Sequence, residues 1–340
     1  MKIYCWEGYN QKKFCRNFNQ KTHFKSFISD FQIANDIKNR DKKCDIININ
    51  NAYIRDYLWK YRLIKELNFE KYSLTYSDYL KNFLYLSKWT KTADKKKIIG
   101  VGQRFGSLNF VINSQSINKK TAEREGFDLI KDKKNKFGIL LFEDFNIMQL
   151  CLSSGINPFK LLNESKIKKF KEQCLLWFER ASIISDNYFL LNKKLNQKTI
   201  NLYLTGGTYT CSVSRKAGYD NIISIIPKNK ISNLKQGLIF TEITSIIKNS
   251  NEKAELFLDF ILTNQKSYEI AMSKNTCNPV LQMGNSKIFD LFSNKDLNII
   301  QWDDVQRSSN YSYDYQIVPS YKKLLNIFRK KLSYYQYKIV

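Results

Sequence analysis

Short apolar runs that stop at polar or small residues alternate with segments of helical spacing along most of the chain. The first run, Ile3 to Trp6, ends at Glu7-Gly8, as a buried strand does when it delivers an aromatic and a carboxylate to its C-terminal end. Gly8 can turn the chain there. Ser29 with Gln32 resembles a capping box, and Phe31, Ala34 and Ile37 follow at helical spacing. Asp45 to Asn50 reads as a second strand closing in Asn48, Asn50 and Asn51, and Tyr53 to Lys65 as a helix carrying Trp59. The first hundred residues thus read strand, helix, strand, helix, the material of a parallel sheet.

Farther on, Ile98 to Asn113 predicts two extended pieces around Gly102 and Gly106, and Lys119 to Lys136 a charged, solvated excursion. Gly138 to Phe142 predicts a strand ending in Glu143-Asp144, with a helix through Met148 and Cys151 to the Gly155-Ile156-Asn157-Pro158 stop. Lys166 to Ile183 is the clearest helix: Ile167, Phe170, Cys174, Trp177 and Ala181 share one face and lysines fill the other. A short strand, Asn201 to Leu204, runs into T-G-G-T-Y-T. Gly237 to Ile247 is a long strand interrupted by one carboxylate, Glu242. Helices are expected over Ala254–Leu262 and, after Pro319, Leu324–Leu332. No repeat or long linker appears, so a domain boundary lies inside the α/β pattern, with crossovers near 100–113 and 236–247.

Composition alters this picture little. A chain of 340 residues with 43% hydrophobic and 14% aromatic content is globular and long enough for two domains. No apolar run approaches the roughly 20 residues of a membrane span. The net charge of +25 invites a nucleic-acid reading. Three features weigh against it: 46 of the 56 cations are lysines, they are scattered, and Lys, Asn and Ile abound together while Pro and Gly are scarce. An A/T-rich coding bias gives that composition without any function. Seven dispersed cysteines with no C-x-x-C signal neither zinc nor a disulfide framework. One histidine, His23, leaves little for His-based acid–base chemistry. No cofactor and no metal is expected.

Polar and aromatic groups gather at the expected strand ends: Trp6 and Glu7, Asn50, Glu143 and Asp144, and Tyr209, with Phe105, Phe240 and Glu242 on the long extended segments. Burying Glu242 unpaired costs several kcal/mol, so it requires a solvated cleft or a Lys or Arg partner. Aromatic faces and carboxylates around one cleft suit an organic cation. Each ring contact attracts an ammonium group by roughly 0.5–2 kcal/mol. A charge-assisted hydrogen bond adds about 1.5–3 kcal/mol.

The chain resembles the spermidine/putrescine-binding proteins of bacterial ABC transporters. The resemblance runs from Ile3 to about Phe328, through I-Y-C-W-E-G-Y, C-D-I-I-N-I-N-N-A-Y-I-R-D-Y-L, G-I-L-L-F-E-D-F-N, T-G-G-T-Y-T with S-R-K-A-G, F-T-E-I-T-S-I-I-K-N-S-N with A-E-L-F-L-D-F-I-L, and T-C-N-P-V. It implies an α/β, two-lobed type II periplasmic binding fold with hinge strands and an interlobe cleft. It also implies a Trp stacked on the polyamine at Trp6, a carboxylate holding an amine at Glu242, and an aromatic two residues before it at Phe240. A polar group at Asn50 and an acid at Glu143 or Asp144 complete the set. Two departures stand out: Gly8 occupies the place of an acid, and a Trp expected before S-R-K-A-G is missing, with Gly206, Gly207 and Tyr209 nearby.

The resulting expectation is a monomeric, non-enzymatic solute-binding protein with lobes at 1–109 plus 241–300 and 110–240 plus 301–340. It would act in the periplasm with an inner-membrane ABC permease and bind no nucleic acid. A strand at the very start leaves no visible leader, so the chain is either cytosolic or already processed. The alternatives are a two-lobed α/β enzyme acting on a small amine, and a basic nucleic-acid-binding protein.

Overall fold

The structure is a computed structural model that describes residues 1–6, 15, 18, 21–250 and 252–340. The chain divides into two units, Met1–Gly106 with Phe240–Trp302 and Ser107–Ile239 with Asp303–Val340. It passes from one to the other within two long strands and again after Trp302. The boundaries expected from sequence were 109/110, 240/241 and 300/301.

In the first unit, β1 (Lys2–Cys5) lies between two parallel neighbours, β2 (His23–Ser26) and β3 (Ile46–Asn50). Ser29 caps the helix Asp30–Lys38, its hydroxyl accepting from Gln32 N at 3.2 Å. The Gln32 side chain turns instead to Asp36, so the cap is one-sided. Ile33, Ala34 and Ile37 are buried, the face that the spacing predicts. After β3 the chain turns directly into helix over Asn51–Tyr53, continuing as a π-helix to Trp59.

The second unit is built on β4 (Val101–Asn113), whose later residues pair antiparallel with β7 (Leu202–Gly207) and β8 (Ile222–Ile225). Beyond β7 lie β5 (Phe137–Leu140) and β6 (Ile183–Ser185), both parallel. A two-stranded ribbon, β9 (Lys230–Ile231) and β10 (Leu234–Lys235), precedes β11 (Gly237–Ile246). The opening residues of β11 pair with β12 (Ser312–Asp314) in this unit, whereas Glu242–Ile246 pair antiparallel with β3 in the first.

Two expectations are corrected. Ile98–Asn113 is not two pieces: β4 runs unbroken for 13 residues, all buried. Its glycines make room rather than turns. A Cβ on Gly102 would come within 3.0 Å of both Leu281 and Tyr79, and one on Gly106 within 2.9 Å of Asn278. Nor is Lys119–Lys136 a solvated excursion. It forms a helix, Lys119–Glu125, and a 3-10 turn, Gly126–Lys131, that bury Ala122, Phe127, Leu129 and Ile130. Phe127 stacks on Trp177 of the amphipathic helix Glu164–Arg180, with ring centroids 5.9 Å apart. A few well-spaced apolar residues outweigh a lysine-rich surface because burial of each large side chain contributes about 1.5–3 kcal/mol.

Candidate functional site

In the first unit, the C-terminal ends of β1 and β3 meet at an acid that the sequence reading missed. Asp30, fully buried in the first turn of its helix, accepts from Trp6 Nε1 at 2.9 Å and from Asn50 Nδ2 at 2.7 Å. The Asn50 backbone N–H adds a longer contact at 3.4 Å. Trp6 is only half-buried, and its ring tilts against Phe27 at 5.2 Å. The hydrogen bond fixes the indole in one orientation while part of the ring stays accessible. The turn at Gly8 and the side chain of Glu7 lie outside the described residues.

Glu242 faces Asn50 across the β3–β11 ladder, but it offers no free carboxylate. Arg104 on β4 donates to both of its oxygens, Nη2 at 2.8 Å and Nε at 3.0 Å. Arg104 Nη1 donates in turn to Thr276 Oγ1 at 2.9 Å and Thr276 O at 3.2 Å. Both ionic side chains are almost fully buried. The expected amine-holding acid is therefore an internal ion pair with a planar, two-pronged geometry. The arginine of G-Q-R-F-G was the available signal: a cation in a buried strand needs an acid.

Phe105, next along β4, is fully buried and packs on Phe83 at 4.4 Å, so it serves the core and not a surface. Phe240 is also buried, its ring tip close to Gly106, and the following Thr241 N–H donates to Asn51 Oδ1 at 3.3 Å.

In the second unit, β5 leads through Phe142 into the helix Glu143–Ser153. Glu143 is partly exposed and forms a two-pronged pair with Arg329, at 2.6 and 2.7 Å. Asp144 is buried and accepts from the hydroxyl of Tyr321. Both acids are thus held by the helix Tyr321–Leu332 near the end of the chain. Tyr209, at the start of the helix Thr208–Lys216 after β7, stacks on Phe142 with centroids 6.4 Å apart and planes within 24°. Beneath them Asn146 Nδ2 donates to Thr205 Oγ1 at 2.6 Å, and Gln149 Oε1 accepts from Thr205 N at 3.2 Å. These bonds hold Thr205 at φ +66, an uncommon conformation for a β-branched residue. A side chain on Gly207 would strike Ser107 O at 2.4 Å, so only glycine fits there.

The structure therefore joins Trp6 and Asn50 through Asp30, and gives Glu242, Glu143 and Asp144 partners from the protein. Among the described residues no cluster of His, Cys, Asp and Glu could hold a metal. No helix of the described residues is long and apolar enough to cross a membrane.

The α/β fold, with strands that run from one discontinuous unit into the other, is similar over 97–99% of the chain to solved structures that include a substrate-binding protein of an ABC transporter. A Listeria monocytogenes protein provisionally assigned as a spermidine/putrescine ABC transporter matches with a TM-score of 0.74 and 14% identity, over 99% of this chain and 98% of that one. The spermidine/putrescine substrate-binding protein PotD of Streptococcus pneumoniae, in complex with calcium and HEPES, matches with a TM-score of 0.67 and 13% identity, over 97% and 98%. MotA of A. tumefaciens B6, in complex with glucopine, also reaches 0.67 at 11% identity, over 97% and 99%. No protein-family model and no curated protein sequence matches the chain.

Proposed function

We propose that this chain is the solute-binding component of an ABC transporter and that its cargo is a polyamine or a related organic cation. The observation that carries the reading is the match of 97–99% of the chain to solved structures that include a spermidine/putrescine substrate-binding protein. The cation is supported by the Trp6–Asp30–Asn50 cluster, in which a buried carboxylate orients a half-buried indole at the ends of β1 and β3. Glu242 drops out as the amine holder because Arg104 already occupies both of its oxygens. Asp30, fully buried with both oxygens bonded, orients the indole of Trp6 and does not itself hold the amine. The protein would work as a monomer in the periplasm and deliver its cargo to an inner-membrane permease, without catalysis.

A ligand that binds only the native state raises its apparent stability. Thermal-shift and calorimetric titrations with putrescine and spermidine, run beside maltose and glutamate, test the reading. Polyamines are expected to raise the melting temperature of the wild type and to lose that effect in Trp6→Ala. Equal polyamine binding by Trp6→Ala overturns the site. Binding of maltose or glutamate in place of polyamines keeps the transport class and overturns the cargo.

A further inference from the structure

The first unit contains a concavity that shares no residue with the Trp6–Asp30–Asn50 cluster. It encloses about 570 Å³ and is lined by Trp59, Lys60, Arg62, Lys65, Glu66 and Lys248 over the buried Ile64. That volume lies in the range of small-molecule sites. Four cations face one carboxylate, and that carboxylate, Glu66, is already paired with Lys97 at 2.6 Å. Lys65 is paired with Glu255 at 2.6 Å. Among the described residues, Lys60, Arg62 and Lys248 have no acidic partner. The backbone holds them in place. Lys65 N donates to Ile246 O at 2.8 Å and Lys248 N to Leu63 O at 2.9 Å, around an Ile64–Ile247 bridge.

Arg62 closes the helix that precedes it. Leu63 N bonds back to Leu58 O at 3.0 Å and Arg62 N to Trp59 O at 2.8 Å, the pair of bonds that ends a helix in a Schellman motif. The residue at that place adopts φ +57, a position that glycine ordinarily takes. Here an arginine takes that place, as Lys198 does after the helix Tyr188–Asn196, and lines the cavity together with Trp59. Cations near a helix C-terminus do answer its carbonyls, but a glycine would close the helix with less strain.

We infer that this cavity is an anion site that takes a phosphate-bearing ligand, with Arg62, Lys60 and Lys248 gripping the phosphate and Trp59 covering its apolar or planar part. Free phosphates and lipid headgroups share that chemistry, and the experiment separates them. Calorimetric titration of the full chain with inorganic pyrophosphate is compared between wild type, Arg62→Gly/Lys248→Gln, and the control Lys133→Gln/Lys134→Gln, which removes the same charge from exposed positions of the second unit. Wild type and control are expected to bind alike, and the site variant about tenfold or more weaker. Arg62→Gly alone is expected to keep or raise the melting temperature, which separates loss of binding from loss of fold. Sedimentation with phosphatidylcholine vesicles containing phosphatidylglycerol supplies the second arm. Capture that the site variant abolishes assigns a lipid headgroup, and pyrophosphate binding without capture assigns a soluble phosphate. Absence of pyrophosphate binding by the wild type, equal binding by the site variant, or an equal loss in the control overturns the inference. Polyamine titrations of the site variant should match wild type, so this site and the proposed cargo site can fail separately.

Discussion

The strand ends of the two units treat their acids differently. In the first unit, Asp30 and Glu242 are both buried, and their partners come from neighbouring strands and the start of a helix: Trp6, Asn50 and Arg104. In the second unit, Glu143 and Asp144 are held by Arg329 and Tyr321 on one helix almost two hundred residues later. None of these four carboxylates is thus a free charge. What differs is the depth of burial and the kind of donor, and these set how much each acid contributes to the fold and how much is left for a ligand.

The largest effect should come from the deepest pair. Arg104→Met leaves Glu242 buried without its fork, and truncating one side of a buried ion pair costs about 3–5 kcal/mol. Urea unfolding should show that loss, while the double change Arg104→Met/Glu242→Leu recovers most of it. A full loss in the double variant would mean that the Thr276 contacts, and not the pair, carry the stability. Asp30→Ala removes the acceptor of Trp6 and Asn50, for about 1.5–3 kcal/mol by the same measurement, and should also weaken spermidine binding in calorimetry. Unchanged affinity would sever the cluster from the cargo site. Arg329→Ala breaks a half-exposed pair and should cost about 0–1 kcal/mol. A larger loss would make the second unit as dependent on its acids as the first.

The smallest effect at neutral pH concerns two groups of the first unit. Burial pushes the Cys44 thiol from 9.0 up to about 12 and the Tyr76 hydroxyl from 10.0 up to about 12. Both are raised in the folded state, so their contribution is complete below pH 9 and is lost as pH rises through about 12. Urea midpoints should therefore stay level from pH 7 to about 9 and fall above it. Cys44→Ala should flatten part of that fall.

Apolar spacing was enough for several of the longer elements. The face of Glu164–Arg180, the β5–helix unit at Phe142 and the long β11 all follow from periodicity, because side-chain period and backbone geometry are linked locally. Local pattern misjudged Gly102 and Gly106, whose meaning lies in Leu281, Tyr79 and Asn278 far along the chain. It also misjudged Lys119–Lys136, where Phe127 finds Trp177. At the site, Trp6 and Asn50 were legible as strand ends, but Asp30 drew no notice beside the Ser29 cap, since an acid in a first turn is explained by the helix dipole alone.

By itself the sequence determined the α/β alternation, the strand ends that carry polar groups, and the poverty of histidine and metal ligands. Only the tertiary structure decided which charges cancel. Glu242 meets Arg104 across 138 positions and Asp144 meets Tyr321 across 177, and electrostatic energy depends on distance in space, which no one-dimensional pattern records.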